Sequence, residues 1–332
     1  MDLVTVAEWA RYMVACACIA FVAAWLMLGN ELVTRARARR SAESAEEAKT
    51  LATVGSSSID DAPESAGSVT SAGSDVGESA DVAQADRSQR AGIALTTLAT
   101  VVLAAGVIMR AIGAQRVPWG NMFEFSITAA LIASVAVLVV IRKPTYRPLA
   151  IWVILPVFIT LGLAVTVLYV PPGPLVPALR SYWLIVHVGA TVLAFGLFTV
   201  AAIASALQLI SQRSARLGRT SGFGALLPSS DTLDRLAYRL NAVAFPIWTF
   251  GPLILGAVWA EVSWGRYWGW DPKEVWALIT WLVYAAYLHA RATAGWRGSR
   301  ASIVGLIGFA TALFSYYGVN VFFEGLHSYG GV

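Results

Sequence analysis

Charge is the first thing this chain lacks. Only 13% of its 332 residues are charged, while 57% are hydrophobic, and soluble domains carry roughly 25% charge. With a mean hydropathy of +0.64, the composition excludes an ordinary soluble domain and favours a polytopic membrane protein. Cysteine is scarce as well. Its two copies, Cys16 and Cys18, are separated by one residue inside the first apolar run, the wrong spacing for a CxxC redox pair, and are read as small buried hydrophobes. No phosphate-binding glycine loop, internal repeat or long basic or aromatic nucleic-acid surface is present. The formal charge of +4 is therefore assigned to the orienting basic loops of a membrane protein, and no nucleic-acid partner is expected. A cleavable signal is not expected either, because Asp2 and Glu8 precede the first apolar run and basic residues follow it.

What is present is a succession of apolar runs of roughly 20 residues, each long enough to cross about 30 Å of hydrocarbon as a helix. Eight are expected: Tyr12 to Leu28, Ile93 to Ile112, Phe123 to Ile141, Leu149 to Val170, Trp183 to Ile210, Leu240 to Ala260, Glu274 to His289 and Ala301 to Phe322. The fold class is thus all-α, a polytopic helical bundle with about eight transmembrane helices, multi-pass in the lipid bilayer of the plasma membrane. Basic residues gather after the odd-numbered runs, for example Arg35, Arg37, Arg39 and Arg40 after the first and Arg291, Arg297 and Arg300 after the seventh. The positive-inside rule then puts both termini outside. Residues 31–92 contain a Ser, Ala, Gly and acidic stretch with almost no large apolar side chains. This stretch is expected to be a disordered cytoplasmic linker, between a loosely tethered helix at 1–30 and a functional body at 93–332.

Trp264 to His289, WGRYWGWDPKEVWALITWLVYAAYLH, departs from ordinary membrane-helix composition. Asp271 followed by Pro272 resembles an N-cap with proline at the first helical position, with Glu274 placed to favour the positive helix end. The three histidines divide by depth. His187 begins the fifth run and His327 follows the eighth, so both lie near the outer side. His289 lies roughly 18 residues beyond Asp271, about 27 Å along a helix and on the opposite side. A membrane histidine often serves only to bond a neighbouring helix, and tryptophans often form an interfacial belt. Two imidazoles converging on a dense indole cluster instead fit haem, whose iron takes axial histidines and whose ring packs on aromatic faces. Trp264, Trp268 and Trp270 are positioned to cover such a ring, and Arg266 or Lys273 to pair with its propionates. Zinc fits less well, since the outer side offers no cysteine. RVPWGNMFE, ahead of the third run, sets Asn121 and Glu124 at a helix entrance, to cap or to bind.

The segment WGRYWGWDPKEVW resembles the tryptophan-rich WWD domain of the CcsA/ResC family of cytochrome c biogenesis proteins. It carries Trp264, Gly265, Trp268, Trp270, Asp271, Lys273, Glu274 and Trp276 in one run, within a WWD segment at 261–276, and the likeness extends from about Ile93 to the C-terminus. The resemblance implies that His187 and His327 ligate the iron of an outward-facing haem b bound as substrate. It also implies that His289 ligates a second, inner haem with a histidine from a ResB-like membrane partner. VPWGNMFE resembles the family's Pro-x-x-Asn-x-x-Glu entrance loop. The implied activity is that of a System II cytochrome c synthetase (haem lyase) subunit, presenting haem for thioether attachment to the CxxCH motif of apocytochrome c. Its implied partners are the ResB-like protein, apocytochrome c and a thioredoxin-like thiol reductase that keeps the CxxCH cysteines reduced. A CcmC-like haem chaperone and a non-enzymatic assembly subunit are the alternatives.

Overall fold

A computed structural model describes residues 3–56, 71–218, 223–293 and 295–327. The described residues form α-helices joined by short turns. They are α1 (Leu3–Ser56), α2 (Ser71–Ala114), α3 (Met122–Val140), α4 (Ala150–Thr166), α5 (Tyr182–Arg216), α6 (Ser230–Trp248), α7 (Gly256–Trp264), α8 (Pro272–Thr293), α9 (Ser299–Leu313) and α10 (Val319–Phe322). Wider π-helical turns at Thr249–Leu255 and Phe314–Gly318 join α6 to α7 and α9 to α10. The chain is therefore the all-α, polytopic membrane bundle that its composition demands. Among the described residues, seven helices are long and apolar enough to cross a membrane. The eighth expected run, within α8, is not among these seven. Its 22 residues include Lys273, Glu274, His289 and Arg291, and much of its apolar character comes from Trp and Tyr, which are less hydrophobic than Leu or Ile.

The stretch expected to be disordered is helical over most of its length. α1 continues to Ser56 and α2 starts at Ser71; residues 57–70 lie outside the described part. The physical reason is an antiparallel coiled coil. On α1, Ala7, Ala10, Val14, Ala17, Phe21, Ala24, Leu28, Glu31, Thr34 and Ala38 follow one another at steps of three and four, alternating as far as Glu31, and are all buried, the heptad spacing of a helix seam. Small residues let the two backbones approach closely: a Cβ on Gly113 would stand 2.7 Å from the Ala7 amide nitrogen, the packing favoured where lipid removes the hydrophobic drive between helices. Past Leu28 the seam turns polar rather than ending. Arg35 bonds Glu31 at 3.0 Å and Asp86 at 2.7 Å, the Asn30 amide reaches the Ser88 hydroxyl at 2.9 Å, and Gln89 donates to Glu31 and accepts from Arg147. Nor is the first helix loosely tethered, since Arg11 on it donates to the Val165 carbonyl at the end of α4, at 2.9 Å. The cysteines are less buried than expected. Cys16 is exposed on α1, and the Cys18 thiol lies 3.4 Å from the Phe158 carbonyl.

The described residues form three apolar cores. One joins α1–α5 around Phe21, Phe123 and Ile154. The second joins α5–α9 around Phe198, Trp248, Trp259 and Tyr284, and a smaller third packs Leu207 of α5 on Leu233 and Leu236 of α6. The candidate site belongs to the second.

Candidate functional site

At one end of the α5–α9 group the helices diverge around a cavity that opens to the surface and spans about 1110 Å³ with the open solvent at its mouth included. Its lining rather than its volume indicates what it can hold. Its walls include His187, Phe195, Trp248, Trp259, Trp264 and Trp268, with Lys273, Glu274 and His327 supplying polar groups. The two histidines predicted to act together line the same cavity.

His187 lies just over one turn into α5, which begins at Ser181, whose hydroxyl accepts from the Trp183 amide at 3.2 Å. Its Nδ1 donates to the Gly251 carbonyl at 2.9 Å. A carbonyl can only accept, so the proton is fixed on Nδ1 and the lone pair on Nε2, the form a metal requires. That carbonyl lies in the widened turn between α6 and α7 and also accepts from the Gly256 amide, the second lone pair of the oxygen serving the imidazole. Two glycines give the ring its space. A Cβ on Gly251 would stand 2.9 Å from the Thr191 amide on α5, and one on Gly256 would stand 3.0 Å from His187 Cε1. Gly256→Ala is therefore expected to push the imidazole off the Gly251 carbonyl. Loss of a bond that orients a ligand costs about 10–100-fold in metal affinity; a haem titration of the purified variant, compared with the unsubstituted chain, measures it.

His327 is oriented by a different device. Its Nδ1 bonds Asp271 Oδ1 at 2.7 Å. The same carboxylate accepts from the amides of Lys273 at 3.1 Å and Leu326 at 2.7 Å. Asp271 is thus both the N-cap of α8 and the tether of the C-terminal segment. Glu274, three residues on, returns to accept from the Asp271 amide at 3.1 Å and the Gly269 amide at 2.8 Å, completing a reciprocal cap. Burial raises the Asp271 carboxyl, but the His327 bond and charge and the two amides outweigh it, and the net shift is downward. Burial also drives His327 below the usual imidazole range, with the Asp271 bond and charge offsetting only part of this. His327 is accordingly neutral at pH 7, with Nε2 unprotonated.

Trp259 connects the two histidines. It stacks on His187 with centroids 5.6 Å apart and planes 6° apart, and its ring lies 5.5 Å from His327. Its Nε1 donates to the Ala178 carbonyl at 3.0 Å, in the proline-rich segment before α5, and the Ser263 hydroxyl shares that acceptor at 3.1 Å. Trp264 meets Trp259 edge-on at 4.6 Å and His327 at 5.0 Å. Trp259, Trp248, Gly251 and Gly256 were not among the expected site residues. Trp259 stands five residues before the tryptophan-rich segment, and the glycine-proline pair at Gly251 and Pro252 is the sequence signal for the altered turn.

The remaining expected residues separate into three groups. Trp264, Trp268, Lys273 and Glu274 line the cavity. Arg266 stands beside it, 3.8 Å from Glu274 and 6.0 Å from the Trp264 ring. Gly265, Trp270 and Trp276 shape the segment without lining the cavity. Gly265 ends α7 in the left-handed conformation, at φ 71°, which favours glycine. Trp270 is 71% exposed, adopts φ 60° and meets Trp268 edge-on at 5.8 Å. Trp276 packs on Phe314 at 4.2 Å. Asn121, Glu124 and His289 lie elsewhere. Asn121 caps α3 by accepting from the Glu124 amide at 3.0 Å, and Glu124 is completely buried against Arg110 and Arg116. His289 is exposed near the far end of α8.

The donor set decides what the cavity can hold. Among the described residues no three His, Cys, Asp or Glu side chains gather to hold a metal ion, so a metal here must bring most of its own ligands. Two neutral imidazoles, indole walls and basic side chains at the rim fit a flat apolar ring with a central metal and peripheral carboxylates, which is the chemistry of haem.

Residues 119–327 match the family described as Cytochrome C assembly protein. "Cytochrome c biogenesis protein CcsA" of Chlamydomonas reinhardtii is 45% identical over 158 residues, covering 48% of this chain and 43% of that protein. The protein of the same name from Gloeobacter violaceus is 39% identical over 208 residues, covering 48% of this chain and 61% of its own length. The chain thus spans about half the length of the curated relatives it matches. The solved structure named "Cytochrome c Heme Lyase CcmF" shares the fold at a TM-score of 0.55 and 15% identity, covering 99% of this chain and 53% of that one. With the family match extending from Trp119 through the tryptophan-rich segment to His327, the chain belongs to the cytochrome c assembly protein family.

Proposed function

We propose that this chain works in cytochrome c maturation as a haem-presenting subunit of a System II synthetase. The carrying observation is that His187 and His327 line one tryptophan-walled cavity with each Nδ1 committed, to the Gly251 carbonyl and the Asp271 carboxylate. Two Nε2 atoms are left to ligate the iron of a haem b bound as substrate. The distribution of basic loops supports an outward-facing cavity, at the outer side of the plasma membrane. Haem held there is attached to apocytochrome c when the two cysteine thiols of a CxxCH segment add across its two vinyl groups. The thiols belong to the substrate, and a thioredoxin-like reductase keeps them reduced. This chain contributes orientation: two ligands fix the iron and the indole walls fix the ring plane. His289, exposed on α8 at the end away from the cavity, is accessible to a histidine of a ResB-like partner and is assigned to a second, inner haem.

The test is to purify the full chain together with a ResB-like partner and record its absorption spectrum. Haem with a low-spin, bis-histidine spectrum is expected, and His289→Ala should lower the haem content while sparing the His187–His327 ligation. Haem-free protein, or a spectrum unaffected by substitution of His187 and His327, would overturn the assignment.

A further inference from the structure

The end of the bundle opposite the cavity contains a set of polar side chains that the haem chemistry does not use. Ser205 and Gln208 on α5, Asn241 on α6 and Tyr284 on α8 are each 1% exposed. The Ser205 hydroxyl, the Gln208 and Asn241 amide oxygens and the Tyr284 hydroxyl have no hydrogen-bond partner among the described residues. An unpaired buried polar group is destabilising, and hydrocarbon offers no relief. Four such groups within one helix group point to a bound species that satisfies them.

Their placement shows where it lies. α9 turns a smooth face toward α5, α6 and α8. At Gly305 the space where a Cβ would stand is met by the Asn241 amide nitrogen at 3.6 Å, the Tyr287 ring at 3.6 Å and the Ser205 hydroxyl at 3.7 Å, and Asn241 bonds Tyr287. One turn toward the cavity, the Tyr284 ring covers Gly308 at 3.0 Å and stacks on Phe198 at 3.8 Å. A further turn along, Ala312 and Ser315 are part of the cavity wall. Toward the other end, the Gln208 and Gln212 amide nitrogens approach Gly298. The seam closes there on the bidentate pair of Arg291 and Asp234, at 2.8 and 3.0 Å.

We propose that the seam between α9 and α5, α6 and α8 is a binding site for a chain of ordered water molecules. The chain runs from the Asp234–Arg291 pair past Gly305 to Tyr284, about one helical turn short of the haem cavity. Water is the ligand that fits. The unsatisfied atoms are neutral oxygens on several helices, two amide acceptors and two hydroxyls that both donate and accept, and a buried water typically makes about three bonds to such groups. Glycine at 305 keeps the Asn241 amide, the Tyr287 ring and the Ser205 hydroxyl 3.6–3.7 Å from where a Cβ would stand, whereas at Gly308 the Tyr284 ring takes up that space. The aromatic layer of Phe195, Phe198 and Tyr284 separates this hydrated seam from the cavity.

Radiolytic hydroxyl labelling of the full chain in oxygen-18 water tests this, because buried side chains are oxidised only where water is bound beside them. Tyr284 and Tyr287, 1% and 2% exposed, should incorporate label several-fold faster than Phe123, 0% exposed in the apolar core. Asn241→Leu, which replaces the amide by an apolar group of similar size, should remove most of that excess while leaving the haem spectrum unchanged. Ser205→Ala, a smaller change, should reduce it in part and gives the answer if Asn241→Leu does not fold. Labelling of both tyrosines no faster than Phe123 would show a dry seam and overturn the proposal. So would excess labelling that neither substitution changes, since the water would then be held by other groups.

Discussion

Replacing His187 or His327 by alanine is expected to abolish cytochrome c maturation, with partial recovery when imidazole is added. The size of the loss follows from the geometry. Each ring has one nitrogen committed to a bond that fixes the other, so no neighbouring side chain can take over the ligand position. Substituting outer partners of a metal ligand already costs about 10–100-fold in affinity, and loss of the ligand itself should exceed this. Recovery by imidazole distinguishes ligation from folding: alanine leaves a hole of imidazole size beside Trp259, and a free imidazole restores the missing donor without repairing a misfolded chain. Both rings also hold structure: His187 ties α5 to the Gly251 turn, and His327 helps tie the C-terminal segment to Asp271. A lower melting temperature is therefore expected for both variants, and refolding does not explain recovery by imidazole. Measuring maturation of a co-expressed apocytochrome c with and without imidazole decides the matter, and normal maturation in both variants would sink the assignment.

What could be read from the sequence divides along local and non-local lines. The apolar runs, the WWD segment and the separation of His289 from the other two histidines depend on composition and on distance along a helix, and the positions of these residues agree with the expectation. The Asp271–Pro272–Lys273–Glu274 cap is likewise local, and its bonds fall within five residues. The bond from Asp271 to His327 joins residues 56 apart, and the one from His187 to Gly251 residues 64 apart; no spacing rule predicts either. Trp259 was hidden for a related reason, since one indole in an apolar run looks like any other membrane tryptophan until its neighbours are known. The coiled coil of α1 and α2 is a different case. Its steps of three and four were present from Ala7 through Ala38, but alanine and polar residues carry them into the region where low hydrophobicity was read as disorder. Composition averaged over a window cannot distinguish a polar tract that stays unfolded from one whose sparse small residues face a partner helix.

Glu124→Ala is expected to cause the largest loss of stability of any single substitution in the Pro-x-x-Asn-x-x-Glu loop, and to do so without a direct effect on haem ligation. Glu124 Oε1 accepts from Arg110 Nε at 2.8 Å, and Oε2 accepts from Arg116 Nη1 and the Gly120 amide, both at 2.7 Å. Arg110 and Glu124 side chains are 0% exposed and Arg116 only 15%. Removing the carboxylate leaves two guanidinium groups facing each other away from water. Breaking a buried pair in this way costs about 3–5 kcal/mol, mostly because the surviving charge is uncompensated. The loss would spread, because Arg110 also donates to the Val170 carbonyl at 2.8 Å and so joins α2 to the end of α4 as well as to α3. Glu124→Gln keeps the shape and some of the bonds and should lose less. Melting temperature and yield should fall in the order unsubstituted, Gln, Ala, while the folded fraction keeps its bis-histidine spectrum. If Glu124→Ala instead folded normally and changed the spectrum, the loop would be part of the haem site. None of residues 116–124 is among those lining the cavity, which predicts the opposite: the loop holds α2, α3 and α4 in register, and α3 in turn contributes Phe125 and Ala129 to the cavity wall.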